Sequence, residues 1–174
     1  MRREPTLTKF SHTAASAFLG IALLVVGASP RPAHAALGEN ADSVAADAAI
    51  FEANGVRHAR RSALNAPALT AYSVEQMTTP SGIAVNEYIG PDGRVFAITW
   101  RGRTPPNLAT LLGAYFTQYQ HAANAGGLTA YGLHHASVRG SEVVVETAGH
   151  MRDMWGRAFL PAMLPSGVDQ SEIQ

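Results

Sequence analysis

Residues 81–102 read SGIAVNEYIGPDGRVFAITWRG. Two runs rich in β-branched and aromatic residues flank Gly90-Pro91-Asp92-Gly93. Pro91 and Asp92 suit the central positions of a type I turn, because the proline ring presets φ at the first of them. Gly93 can take the left-handed conformation that a following bulge requires. The stretch therefore predicts a β-hairpin with a three-residue loop that pairs Gly90 with Arg94. Counting outward sets Ile89 against Val95, Tyr88 against Phe96, Glu87 against Ala97, Asn86 against Ile98 and Ala84 against Trp100. Strand alternation then places Tyr88, Phe96, Ile98 and Trp100 on one face, and Ile89, Val95, Val85, Thr99 and Glu87 on the other. The aromatic face is the one expected to meet a helix.

The N-terminus reads as a leader rather than as part of the fold. Arg2, Arg3 and Lys9 precede the apolar run Ala14 to Ala28, and Ala33-His34-Ala35 is a small-x-small site before Ala36. That order predicts a secretory signal peptide over residues 1–35, cleaved after Ala35. A run of 15 residues is short for a membrane span, which needs about 20, so no stable membrane span is expected after cleavage. Residues 36–174 are enough for a single α+β domain with its own core.

Charge and cysteine content narrow the partners. Residues 36–174 hold nine Arg, no Lys and twelve acidic residues, a net charge of −3. No basic patch argues for nucleic acid. Cysteine is absent throughout. That removes disulfides, thiolate catalysis and Cys metal sites, and leaves no lipid-modified cysteine at the cleavage point. The leader and the missing cysteine together predict a soluble periplasmic or secreted product.

Along the remaining chain, Ala36 to Ala53 predicts an N-terminal helix, with Asp42 or Ser43 as cap and Asp47 on its polar side. Val56 to Ala68 is Arg-rich and aperiodic, and reads as a surface loop. Leu69 to Thr78 alternates as a strand, with Tyr72, Val74 and Gln76 on one side. Pro106 to Asn124 carries Leu108, Leu111, Leu112, Tyr115, Tyr119 and Ala122 at helical spacing, with Thr104 or Asn107 as cap, and predicts one long helix packed on the sheet. Leu128 to Ser137 reads as irregular. Val138 to Met151 reads as one strand, with Glu142, Val144, Glu146, Ala148 and His150 on one side. Trp155-Gly156 allows a turn, and Arg157 to Leu160 can pair back. Asp169 to Gln174 reads as a polar tail. The expected fold is α+β, an antiparallel sheet of about four to five strands with helices to one side.

These pieces resemble an uncharacterised family of exported proteobacterial proteins, the domain of unknown function 2844. The resemblance rests on Ala36-Leu37-Gly38, Thr79-Pro80-Ser81-Gly82 with Glu87-Tyr88, Gly93-Arg94-Val95-Phe96-Ala97 with Trp100, Leu111-Leu112-Gly113 with Tyr115-Phe116, Gly149-His150-Met151-Arg152, and Gly156-Arg157-Ala158-Phe159-Leu160-Pro161. It covers nearly all of the chain after the leader, and implies no activity, substrate or catalytic residue.

One stretch concentrates polar chemistry. Residues 149–157 hold His150, Arg152, Asp153, Trp155 and Arg157 together with two glycines. The two guanidinium groups can fork onto a carboxylate or phosphate, and the indole offers a flat apolar wall. These five are the expected ligand-binding residues, set against a plain role in strand-end hydrogen bonding. Glu146, His150 and Asp153 form an alternative acid/base set for a small hydrolase or transferase. Yet Glu146 and His150 are four apart on one strand, roughly 13 Å between Cα atoms. Ser81 sits at a turn with no base nearby, and no GxSxG is present. His58, His121, His134, His135 and His150 show no metal-ligand spacing. No catalytic residue, metal or cofactor is assigned. The reading is a non-enzymatic envelope protein that binds another envelope protein or a small envelope ligand.

Overall fold

The computed structural model describes residues 37–62, 71–130 and 134–174. The expected signal peptide, and residues 63–68 of the expected loop, lie outside the described residues. All described residues fall in one compact unit, residues 31–174. No helix among them is long and apolar enough to cross a membrane.

The sheet is antiparallel, as the alternating runs require, but among the described residues it has eight strands rather than four or five. They are β1 (Val56–Ser62), β2 (Ala71–Thr78), β3 (Ala84–Ile89), β4 (Val95–Gly102), β5 (Leu128–Ala130), β6 (His135–Arg139), β7 (Val144–His150) and β8 (Asp153–Phe159). Their order is β1-β2-β3-β4-β8-β7-β6-β5. Two four-stranded meanders thus meet where β4 pairs with β8.

Each extra strand has a physical reason. The Arg-rich stretch expected as a loop is β1, an edge strand paired along its length with β2. An edge strand needs no apolar alternation, and charge on an edge deters pairing with other chains. Within the stretch expected to be irregular, Leu128–Ala130 forms β5 and residues 135–137 belong to β6. The single strand expected over Val138 to Met151 folds back on itself at Gly140, whose N–H bonds Val143 O at 2.8 Å. Trp155-Gly156 is not a turn. The turn is Met151-Arg152, and Gly156 lies inside β8 opposite Trp100. A Cβ at Gly156 would fall 2.3 Å from Trp100 Cζ2 and 2.8 Å from Glu146 O, so the position requires glycine for close approach.

The hairpin turn forms as its residues dictate. Gly90 N bonds Arg94 O at 2.8 Å, and Gly93 takes φ +77°. Ile89 faces Val95, but the register then shifts, so that Tyr88 faces Ala97, Asn86 faces Thr99 and Val85 faces Trp100. Phe96 and Ala97 both stand against Tyr88, the two-against-one count of a β-bulge. Beyond it every β4 residue changes side. The expected aromatic face is therefore divided. Ile98 and Trp100 join Val85, Met77, Val143 and Val145 in one core, whereas Tyr88 and Phe96 join Tyr72, Val74, Val144 and Phe159 in a second.

The helices cover the first core. The segment expected over Pro106 to Asn124 is α2 (Leu108–Leu112), a 3-10 turn at Gly113–Tyr115, and α3 (Phe116–Ala122). Asn107 caps it by accepting from Ala109 N at 3.0 Å, satisfying a donor the first turn leaves open. Leu111 and Leu112 are fully buried. The N-terminal helix is not the expected Ala36–Ala53 element. It is α1 (Ser43–Ile50), eight residues. Ahead of it the chain runs beside the hairpin, with Gly38 N on Val95 O at 2.8 Å and Asn40 bridged to Arg94. Asp47 does not lie on a polar side, because α1 packs it inward with no exposure.

The second core is covered by the C-terminal residues, which are more than a polar tail. After a 3-10 turn at Pro161–Met163, the chain crosses that face and buries Val168 and Ile173 against Tyr72, Tyr88 and Phe96. The three rings pack edge-on or tilted at about 6 Å, a favoured aromatic geometry.

Candidate functional site

Residues directly opposite on neighbouring strands share a face. Following the register across the sheet gives Arg57, Gln76, Asn86, Thr99, Arg157 and Glu146 in one unbroken row, on the same face as the C-terminal segment. One row further along lie Val74, Tyr88, Ala97, Phe159 and Val144, which the C-terminal segment covers. Burial of the apolar row leaves Gln76 and Asn86 half-buried beside it, with Thr99 buried at the centre of the polar row. The row on the other side adds Ala84, Arg101 and Trp155.

The result is a cleft of about 660 Å³, floored by Asn86, Thr99, Arg101 and Trp155 and walled by Ser171, Ile173 and Gln174. A second hollow of about 260 Å³ reaches Arg57 and shares Gln76, Ala84 and Asn86 with the first. Together they form one groove running across the strands from β1 to β8.

The floor is held by specific bonds. Asn86 Nδ2 donates to Thr99 Oγ1 at 3.1 Å. Arg157 Nε and Nη2 meet Glu146 Oε2 at 2.8 and 2.7 Å. The third nitrogen, Nη1, donates to Gln170 O at 2.6 Å and Ile173 O at 3.2 Å, so Arg157 also anchors the wall. Arg101 forks onto Asp153 with bonds of 2.9 and 2.8 Å. That bond holds the Asp153 carboxyl below the usual carboxylate range and raises the guanidinium in return. The wall has its own bracing. Asp169 Oδ1 accepts from Ser171 N at 2.8 Å, Glu172 Oε1 accepts from Asp169 N at 3.1 Å, and Tyr88 Oη accepts from Gln174 N at 3.1 Å while its hydroxyl donates to Gln174 O.

The structure separates the five residues singled out from sequence. Trp155 and Arg157 line the cleft. Asp153 lies at its margin, bonded to Arg101. His150 pairs with Asp153 at the end of the β7–β8 hairpin, where its ring lies 4.7 Å from that of His134. Arg152 occupies the turn itself, with φ +69°. The set Glu146, His150 and Asp153 is not gathered around a common point. Glu146 is held by Arg157, Asp153 by Arg101, and none of the three lines the cleft. Among the described residues, no three His, Asp or Glu side chains are placed to hold a metal ion.

Gln76, Asn86, Thr99, Arg101 and Gln174 escaped the sequence reading. They are spread over β2, β3, β4 and the C-terminal segment, and only the fold brings them together. One signal was available: Gln76 continues the Tyr72-Val74 side of β2, so it breaks an apolar face with an amide.

A family model described as a protein of unknown function (DUF2844) matches residues 33–173. No curated protein matches the chain. No solved structure matches it either.

Proposed function

We propose a binding function for this chain, which belongs to the DUF2844 family of proteins of unknown function. It is an exported, soluble, non-enzymatic protein of the bacterial cell envelope, and it holds an envelope component in the groove beside Trp155. The observation that carries this reading is the groove itself. Its volume lies in the range of ligand sites, and it sets an aromatic side chain beside several hydrogen-bonding groups. A binding role also suits a floor whose two arginines already have carboxylate partners. Export is supported by the basic, apolar and small-x-small order of residues 2–35. Fractionation and N-terminal sequencing test it, the expected mature end being Ala36.

Trp155 provides the readout for binding. It is 40 % exposed, whereas Trp100, which also borders the cleft, is 3 % exposed, so a ligand in the groove acts chiefly on the Trp155 indole. Adding the low-molecular-weight fraction of an envelope extract is expected to shift the tryptophan emission and raise Tm. Trp155→Phe should remove most of the emission change. If no envelope fraction alters either signal, the binding reading fails.

A further inference from the structure

We infer that the groove binds a neutral, extended glycan chain laid across the strands, with one sugar stacked on Trp155. The inference rests on the binding reading above and names its ligand class. Three properties of the groove point there.

The first is charge. Arg101 and Arg157 are each paired with a carboxylate, Asp153 and Glu146. An anionic ligand on the central floor would compete with these pairs, and the remaining arginine of the groove, Arg57, stands at its far β1 end. The other polar side chains lining the cleft are amides and hydroxyls: Gln76, Asn86, Thr99, Ser171 and Gln174. Such groups both donate and accept, as sugar hydroxyls do. The internal bond from Asn86 to Thr99 uses one of the two Asn86 amide donors and leaves the carbonyl oxygen outside it.

The second is dimension. The row from Arg57 to Arg157 crosses four strand gaps, about 19 Å at the usual spacing. One strand gap is close to the advance per sugar in an extended pyranose chain. The row's length therefore matches about four sugars, with Gln76 and Asn86 as the half-buried amides along it. The indole at the β8 end supplies the flat apolar face that the axial C–H groups of a pyranose ring match.

The third is direction. An extended peptide gains most when its backbone joins a strand edge. Here the groove crosses the face of the sheet, and β2, β3, β4 and β8 are each paired on both sides. They have no free backbone ladder to offer. A chain that carries hydroxyls along its whole length does not need one.

The test is titration of the purified protein with neutral N-acetylglucosamine and glucose oligomers of one to six sugars, read by tryptophan emission and calorimetry. Affinity is expected to rise at least tenfold from monosaccharide to tetrasaccharide and then level off as the groove fills. Trp155→Ala should weaken tetrasaccharide binding about tenfold, and Gln76→Ala about threefold, the latter with unchanged Tm. Trp155→Phe should retain most of the affinity. The length dependence rules out a single-sugar pocket, and its absence overturns the inference. Wild-type affinity in both the Trp155→Ala and the Gln76→Ala protein overturns it too, since the glycan would then lie elsewhere. Should no neutral oligomer bind while the envelope fraction still shifts Tm, the glycan is wrong and the binding reading stands. Binding of an extended neutral peptide instead of glycan has the same meaning. If neither oligomer nor fraction produces a response, both readings fall.

Discussion

The Glu87 carboxyl on β3 is shut against that of Asp47 on α1, and neither residue exposes any surface. Burial is the main cause that pushes Glu87 up to about 9, followed by the charge of Asp47, the hydrogen bond to it, and the charge of Glu75. Glu87 is therefore protonated at neutral pH and acts as a donor to Asp47. The pair continues a row across the helix-covered face. Glu87 lies opposite Glu75, and Glu75 opposite His58, which it bonds. A buried acid of this kind does not add stability by its charge. It docks α1 at the cost of holding a proton.

Its pH signature has a definite sign. An unfolded glutamate releases its proton near 4.5, and the folded one near 9. Between those values the folded state binds the extra proton, so stability falls as pH rises. Below 4.5 this loss vanishes. The slope reaches at most ~1.4 kcal/mol per pH unit. Urea midpoints from pH 5 to 9 should decline accordingly, and Glu87→Gln should flatten the decline by keeping a neutral donor in place. A wild-type midpoint that rises steadily over that window would contradict the buried proton.

Gly156 and Trp100 make a steric prediction. The Trp100 ring occupies the space a side chain at 156 would need. Gly156→Ala is expected to cost about 1–3 kcal/mol, the usual range for forcing atoms into a filled core. Near-ultraviolet circular dichroism should show the Trp100 signal altered, because the ring must turn or the β4–β8 contact must open. An unchanged midpoint would mean that the ring does not sit over β8.

Arg157 and Arg101 should behave differently although both pair with an acid. The Arg157–Glu146 pair is largely enclosed, with side chains 21 % and 14 % exposed, and Arg157 also holds two wall carbonyls. Arg157→Ala is expected to destabilise by about 1–3 kcal/mol, because Glu146 loses its partner in a confined site. The Arg101–Asp153 pair is open to solvent, and exposed ion pairs contribute little. Arg101→Ala should leave the unfolding midpoint where it was. Paired denaturation curves decide the point, and equal losses for the two variants would count against it.

What the sequence disclosed depends on how far a signal extends along the chain. The Gly90–Gly93 turn, the β2 alternation and the Leu111-Leu112 helix face are local patterns, and all three formed. The bulge at Phe96 left no mark in the pattern, because Phe96 and Ala97 are both apolar and either register buries them. It nonetheless moved Ile98 and Trp100 to the opposite face from Tyr88. The β1 strand was hidden for the reverse reason. Its pairing is made by backbone, and its arginines suit an edge. The site was half legible. Trp155 and Arg157 stood out within one polar cluster, whereas Gln76, Asn86 and Thr99 join them only across the strands, a direction no run of sequence can display.

Ile173 tests the account of the C-terminal segment. That segment has no strand pairing of its own. It is held by Arg157, by the Tyr88 hydroxyl and by two apolar side chains, of which Ile173 is 1 % exposed. Removing most of that side chain leaves a cavity over Tyr72, Tyr88 and Phe96, and should cost about 2–4 kcal/mol. Ser171→Ala, two residues earlier and exposed, should change stability by less than about 0.5 kcal/mol. The loss should also be confined in space. Amide exchange is expected to quicken over 168–174 first, while β4, buried under both layers, keeps its protection until global unfolding. The same Ile173→Ala variant should weaken ligand binding in the groove, since its wall would no longer be fixed. If exchange quickens equally in β4 and in the C-terminal segment, that segment is an integral part of the core rather than a layer laid over it.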